Sequence, residues 1–126
     1  MADPRPQRAK RVLVIDDDAP TVDLLAELLS DEGYLVSTAR DVGGGLAENA
    51  KAPADVIILD LVLPDLEGGA FVERYRAEGG AAPIVVISAA RDAVDKAAAI
   101  GSPLVTKPFD VRDLLEAVRR AVERSR

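Results

Sequence analysis

The chain has no cysteine and no histidine, and each absence removes a class of chemistry. Without cysteine there are no disulfides, no thiol nucleophile and no thiolate metal site. Without histidine the commonest general base and the usual imidazole ligand are missing. Tryptophan is absent, and aromatics make up only 3% of the 126 residues, too few for a platform that stacks single-stranded nucleic acid. No apolar run approaches a membrane span, and the opening "MADPRPQRAKR" lacks the apolar stretch of a secretory signal. No membrane association and a cytoplasmic location are the expectations. Positive charge is in deficit: 16 Lys and Arg against 22 Asp and Glu leave a net charge of −6, which argues against direct nucleic-acid binding.

What is there is an ordinary globular balance, 48% hydrophobic and 30% charged, in a length that suits one domain. Residues 1–10 are polar and hold Pro4 and Pro6, so they read as a flexible tail before a domain spanning 11–124. Five short aliphatic runs follow: "RVLVI" (11–15), "YLVST" (34–38), "DVIIL" (55–59), "PIVVI" (83–87) and "PLVT" (103–106). They are too short for helices and rich in β-branched residues, as strands are. Between them lie helical patterns. Val22, Leu25, Ala26 and Leu29 keep one face, and Gly33 follows as a stop. Val111, Leu114, Leu115, Val118 and Val122 keep another, with Asp110 and Asp113 spaced as a weak capping box. "GGGLAENAK" (43–51) opens on three glycines, which predicts a loosened helix start, and "DAVDKAAAI" (92–100) is short.

This alternation predicts an α/β fold, a doubly wound parallel sheet with helices on both faces. In such sheets the chemistry sits beyond the carboxyl ends of the strands. Read there, strand 1 gives Asp16 and Asp17, strand 3 Asp60, strand 4 Ser88 and strand 5 Lys107, while strand 2 gives only Ala39 and Arg40. The flavodoxin-like order 2-1-3-4-5 accounts for this, because it puts strand 2 at the edge. Carboxylates gathered at one sheet edge call for a cation, and an all-oxygen donor set selects a hard one such as Mg²⁺. Asp60 is the natural nucleophile for an acyl phosphate, with Lys107 as a fixed positive charge and the Ser88 hydroxyl as a hydrogen-bond donor. Asp18, with Pro20 behind it, reads as a helix cap, and Asp65 with Glu67 as caps of the third helix.

Taken in order, "VLVIDDD", "DVIILDLVLPDLEG", "VVISA" and "VTKPF" resemble the receiver domain of two-component response regulators, over residues 11–124. The resemblance implies a phosphoacceptor switch: Asp60 takes a phosphoryl group from a histidine kinase or phosphotransfer protein, Mg²⁺ is required, and a protein-binding surface changes. It further implies Asp17 as the direct metal ligand, Asp16 acting mostly through water, Asp60 and the Val62 carbonyl completing the metal set, and a cis Lys107–Pro108 bond. Enzymatic activity would be limited to self-phosphorylation and acyl-phosphate hydrolysis. Three features depart from the family: Leu104 stands where an aromatic is common, the triple glycine 43–45 is unusual at the start of the second helix, and the stretch from Ser88 to Lys107 is short, which predicts a trimmed or partly unwound fourth helix. Ser88 and Lys107 tie the site to the fourth helix, fifth strand and fifth helix, the expected contact face for a downstream protein.

Two other readings compete. A haloacid-dehalogenase-like phosphatase also uses an aspartyl nucleophile with Mg²⁺, but it wants a second Asp two positions on, where Val62 stands. A pseudo-receiver would bind partners without phosphorylation, against which Asp60, Asp17 and Lys107 all argue. The sequence leaves open a free-standing receiver or a part of a longer regulator.

Overall fold

The structure is a computed structural model that describes residues 9–63 and 68–125. In chain order it runs β1 (Arg11–Ile15), α1 (Ala19–Asp31), β2 (Leu35–Ala39), α2 (Val42–Lys51), β3 (Val56–Asp60), α3 (Gly68–Ala77), β4 (Ile84–Ser88), α4 (Ala93–Ile100), β5 (Leu104–Thr106) and α5 (Val111–Arg124). All strand pairings are parallel and the order is β2-β1-β3-β4-β5, as the alternation predicts. The chain reverses direction across the sheet between β1 and β3, which opens a crevice at their carboxyl ends.

Side chains alternate across the sheet and sort the helices into two layers. Leu13, Ile15, Ile57, Leu59 and Val86 face α2, α3 and α4, where they meet Val42, Phe71, Tyr75, Ala93 and Ala97. Val12, Val14, Ile58, Val85 and Ile87 face α1 and α5, against Leu25, Leu29, Leu114 and Val118. β3 and β4 are buried at every position, the pattern of strands covered on both sides.

Several boundaries differ from the sequence reading. β2 starts at Leu35 and ends at Ala39, one residue later than expected. Asp60 and Ser88 are the last residues of their strands, not the first beyond them, because Asp60 stays in register with Ile87 and Ser88 with Thr106. The sheet carries both groups, which makes them more rigid than loop residues. The tail prediction falls mostly outside the described residues, although the Lys10 carbonyl already accepts from the Leu35 amide at 2.9 Å.

The loosened start expected of α2 is not found. Asp41 caps the helix by accepting from the Gly44 amide at 2.6 Å, and the helix runs regularly from Val42. Gly45 has a packing reason: a Cβ there would lie 2.6 Å from Ile15 Cδ1 and 3.2 Å from the Phe71 ring. Glycine lets α2 sit against β1 and α3 more closely than any side chain allows. At α5, Asp110 caps through the Arg112 amide at 2.8 Å, so the box with Asp113 does not form. α4 is short, eight residues, as predicted. The caps expected of Asp65 and Glu67 lie outside the described residues.

Candidate functional site

β1 delivers the first acids. Its hydrogen bonding continues one residue past Ile15, with the Asp16 amide donating to the Ala39 carbonyl at 3.1 Å. That fixes Asp16 in the interior, with no exposed surface. A buried carboxylate needs partners, and Asp16 has two. Its Oδ1 accepts from the Asp18 amide at 3.0 Å, and its Oδ2 accepts from Lys107 Nζ at 2.7 Å. The first bond folds the backbone so that Asp17 faces solvent. Asp18 turns the other way and caps α1, accepting from the Thr21 amide at 3.2 Å and from its hydroxyl. The Thr21 hydroxyl holds the Asp18 carboxyl below the ordinary carboxylate range. Asp18 is therefore a cap, as its position before Pro20 predicts.

Asp60 comes from the end of β3 and is 6% exposed. Its Oδ1 accepts from the Val62 amide at 3.1 Å and its Oδ2 from Lys107 Nζ at 3.2 Å. Burial pushes its carboxyl above the usual value and the charge of Asp16 adds to that, while the Val62 amide and Lys107 pull it back. Lys107 follows β5 and is held through a cis Lys107–Pro108 bond, with its amide donating to the Ser88 carbonyl at 3.0 Å. Burial alone would lower its ammonium pKa, but hydrogen bonds and charge from Asp16 and Asp60 outweigh that and raise it. Lys107 is charged, and it is the cation that this acidic pocket already contains.

Asp16, Asp17 and Asp60 each offer a carboxylate oxygen within 4.8 Å of the others. Three hard oxygen donors, one of them open to solvent, with no imidazole or thiolate nearby, fit a partly hydrated divalent cation of the Mg²⁺ type. Val62, assigned a ligating carbonyl from the resemblance, contributes its amide to Asp60 here, and its side chain is exposed. Ser88 is buried at the end of β4, and its Oγ accepts from the Ala90 amide at 3.1 Å. Sequence reasoning did not foresee that bond or the Asp16–Asp18 brace. Both are two-residue side chain-to-backbone links of the kind Asp and Ser make at strand ends, which is the only signal that could have suggested them.

Comparison with known proteins shows the family. The chain matches the response regulator receiver domain over residues 12–119. It is 40% identical over 117 residues to the transcriptional regulatory protein KdpE of Mycobacterium tuberculosis, covering 90% of this chain and 51% of that protein. It is 32% identical over 116 residues to the sensory transduction protein RegX3 of Mycobacterium bovis, with 90% and 51% covered. The chain thus spans about half the length of the curated relatives it matches. Among solved structures, the chemotaxis protein CheY4 of Vibrio cholerae superposes with a TM-score of 0.82 at 30% identity, over 90% of this chain and 99% of that one. NtrX from Brucella abortus, in complex with ADP, gives 0.86 at 31% identity, over 94% of this chain and 28% of that one. On sequence, fold and strand order, this chain belongs to the response regulator receiver domains of two-component signal transduction.

Proposed function

We propose that the domain, residues 11–124, is a phosphoacceptor switch in which Asp60 takes the phosphoryl group. The observation that carries this reading is the meeting of Asp16, Asp17, Asp60 and Lys107 at the β1–β3 crevice, with Lys107 Nζ bridging Asp16 and Asp60. Asp17, Asp60 and the Val62 carbonyl would hold Mg²⁺, with Asp16 acting mostly through water. When bound, the ion supplies charge neutralisation for the phosphoryl oxygens. An Asp60 carboxylate oxygen forms the new bond to phosphorus as the donor's bond to phosphorus breaks. Lys107 pairs with a phosphoryl oxygen, and the Ser88 hydroxyl donates to another. The Val62 amide orients Asp60 before the reaction.

A histidine kinase or phosphotransfer protein is the proposed donor, and a downstream protein contacting the α4–β5–α5 face the proposed output. Two bonds support that face: Ser88 Oγ with the Ala90 amide leading into α4, and the Ser88 carbonyl with the Lys107 amide after β5. Val94 on α4 is 66% exposed and available for contact. The −6 charge keeps direct nucleic-acid contact out of this reading, and a cytoplasmic location goes with it. Among the described residues no helix is long and apolar enough to cross a membrane.

A phosphatase acting on external substrates is disfavoured because exposed Val62 has no group to protonate a leaving alcohol. The test is to supply a small acyl phosphate and, separately, an aryl phosphate ester, each with Mg²⁺. A switch forms one protein-bound phosphoryl group from the first and does not turn over the second. Sustained ester turnover that is lost in Asp60→Asn would establish the phosphatase.

A further inference from the structure

β2 and β5 are the two edges of the sheet, and they are guarded very differently. An edge strand presents unpaired amides and carbonyls, and proteins blunt it by keeping it short or by placing proline, charge or a bulge there. β5 has such devices: it spans three residues, Pro103 precedes it, and Lys107 and Pro108 follow it. β2 has none of them. Its five residues read "LVSTA", with no charge and no proline. Its register with β1 is unbroken from Leu35 to Ala39, so no bulge interrupts it.

The hydrogen bonding determines which groups of β2 are left over. The Leu35 amide donates to the Lys10 carbonyl at 2.9 Å, and the Ala39 carbonyl accepts from the Asp16 amide at 3.1 Å. In a parallel ladder alternate residues serve one neighbour, so Leu35, Ser37 and Ala39 turn their backbone to β1. Val36 and Thr38 turn theirs outward, where no further strand lies among the described residues. Of the described strand residues, Leu35 alone leaves a large apolar side chain exposed, at 47%. Charges of opposite sign flank the strand. Glu32 stands before it and Arg40 after it, both exposed and neither in an ion pair among the described residues.

We propose that β2 is a pairing edge, at which two copies of this chain join antiparallel about a two-fold axis through Ser37. In that register Val36 lies opposite Thr38 of the second copy, and each such pair exchanges both of its backbone hydrogen bonds. Leu35 meets Ala39, and Ser37 meets Ser37. Opposite residues share a face of the sheet, so Arg40 comes beside Tyr34 of the second copy, with Glu32 next to that ring. The antiparallel direction thus brings cation to carboxylate at both ends of the pair. The two-fold axis closes the assembly at two copies, because each offers one unguarded edge. β5 lies at the far edge of the sheet, so the pairing leaves the α4–β5–α5 face clear and does not depend on Asp60.

Sedimentation equilibrium of the full chain, from micromolar to millimolar concentration, should show a monomer passing to a dimer with no larger species. Residue-resolved amide exchange on the same samples locates the contact. The Val36 and Thr38 amides should gain protection by about tenfold or more with concentration, and those of Leu35, Ser37 and Ala39, already bonded to β1, should change less. Thr38→Pro removes an outward amide that the ladder to β1 does not use, so the variant should keep its fold and lose the dimer. Arg40→Glu sets like charges together and should weaken association by about tenfold or more. Adding Glu32→Arg to that variant should restore association. This charge exchange decides the matter if circular dichroism shows Thr38→Pro unfolded. A chain that stays monomeric at every concentration overturns the proposal, as does assembly beyond two copies. So does a dimer whose protection gains fall on β5 and α5, or whose strength is unchanged by Arg40→Glu.

Discussion

Lys107 Nζ lies 2.7 Å from Asp16 Oδ2 and 3.2 Å from Asp60 Oδ2, so one ammonium after β5 joins carboxylates from the ends of β1 and β3. Without it, two buried acids would face each other with a solvent-exposed third beside them. Lys107→Met should therefore destabilise the metal-free protein by on the order of 2 kcal/mol, somewhat less than for a fully buried pair because the lysine keeps 20% exposure. Mg²⁺ should restore more stability to this variant than it adds to wild type, since the ion no longer competes with the ammonium for the same oxygens. Thermal melts with and without Mg²⁺ check both statements. Equal metal-induced gains in the two proteins would mean that Lys107 and the cation do not share these carboxylates.

Asp60 carries a cost in the metal-free state. Burial and then the Asp16 charge raise its pKa above the ordinary 3.8 of an unfolded chain, despite the Val62 amide and Lys107. In the window above 3.8 the native state thus binds more protons than the unfolded one, so stability falls as pH rises through the native value. The loss is complete once the pH lies well above the native value. Metal-free Asp60→Asn should accordingly melt above wild type at pH values above the native one, with the advantage shrinking as pH falls through that value and gone below 3.8. A lower melting temperature throughout the pH range above 3.8 would show that pairing with Lys107 outweighs desolvation.

The three consecutive acids should separate cleanly by substitution. Asp17→Asn should weaken Mg²⁺ binding by more than about tenfold, the scale on which even supporting residues of a metal site act. Asp18→Ala should leave Mg²⁺ affinity near wild type and cost about 1 kcal/mol of stability as a lost helix cap. Calorimetric titration and denaturant melts read the two effects. Stronger dependence of the metal on Asp18 would shift the site by one residue along β1.

The glycines of α2 and α3 give opposite expectations. Gly45→Ala must push a Cβ into Ile15 and Phe71, and should cost about 1–3 kcal/mol as overpacking does. Gly69, in the first turn of α3, has nothing within 4 Å of an added Cβ. Gly69→Ala should stabilise by about 0.5–1 kcal/mol through the unfolded chain's entropy. Urea denaturation of the two variants measures the contrast.

That contrast marks what was legible in the sequence. Strands announce themselves through short aliphatic runs, and a doubly wound sheet sends their ends to one edge, so Asp16, Asp17, Asp60, Ser88 and Lys107 could be gathered before any coordinates. The three glycines were misread because propensity records what glycine costs a helix alone, whereas Gly45 answers to Ile15, thirty positions away in the chain and touching in space. The ends of β3 and β4 were one residue out because Asp60 and Ser88 are polar by type yet remain within the ladder. The same limit applies to Tyr75. Its hydroxyl accepts from the Ala82 amide at 2.9 Å and its ring fills the space where a side chain at Gly80 would go, a long-range fit that no local pattern encodes.

The central claim is that Asp60 is the acceptor, and one measurement tests it most directly. Wild-type protein and Asp60→Asn are each incubated with a small acyl phosphate, with Mg²⁺ or with a chelator, and their intact masses recorded. The account predicts a single phosphoryl adduct on wild type in the presence of Mg²⁺, and none with the chelator or on Asp60→Asn. An adduct of the same size on Asp60→Asn would contradict it.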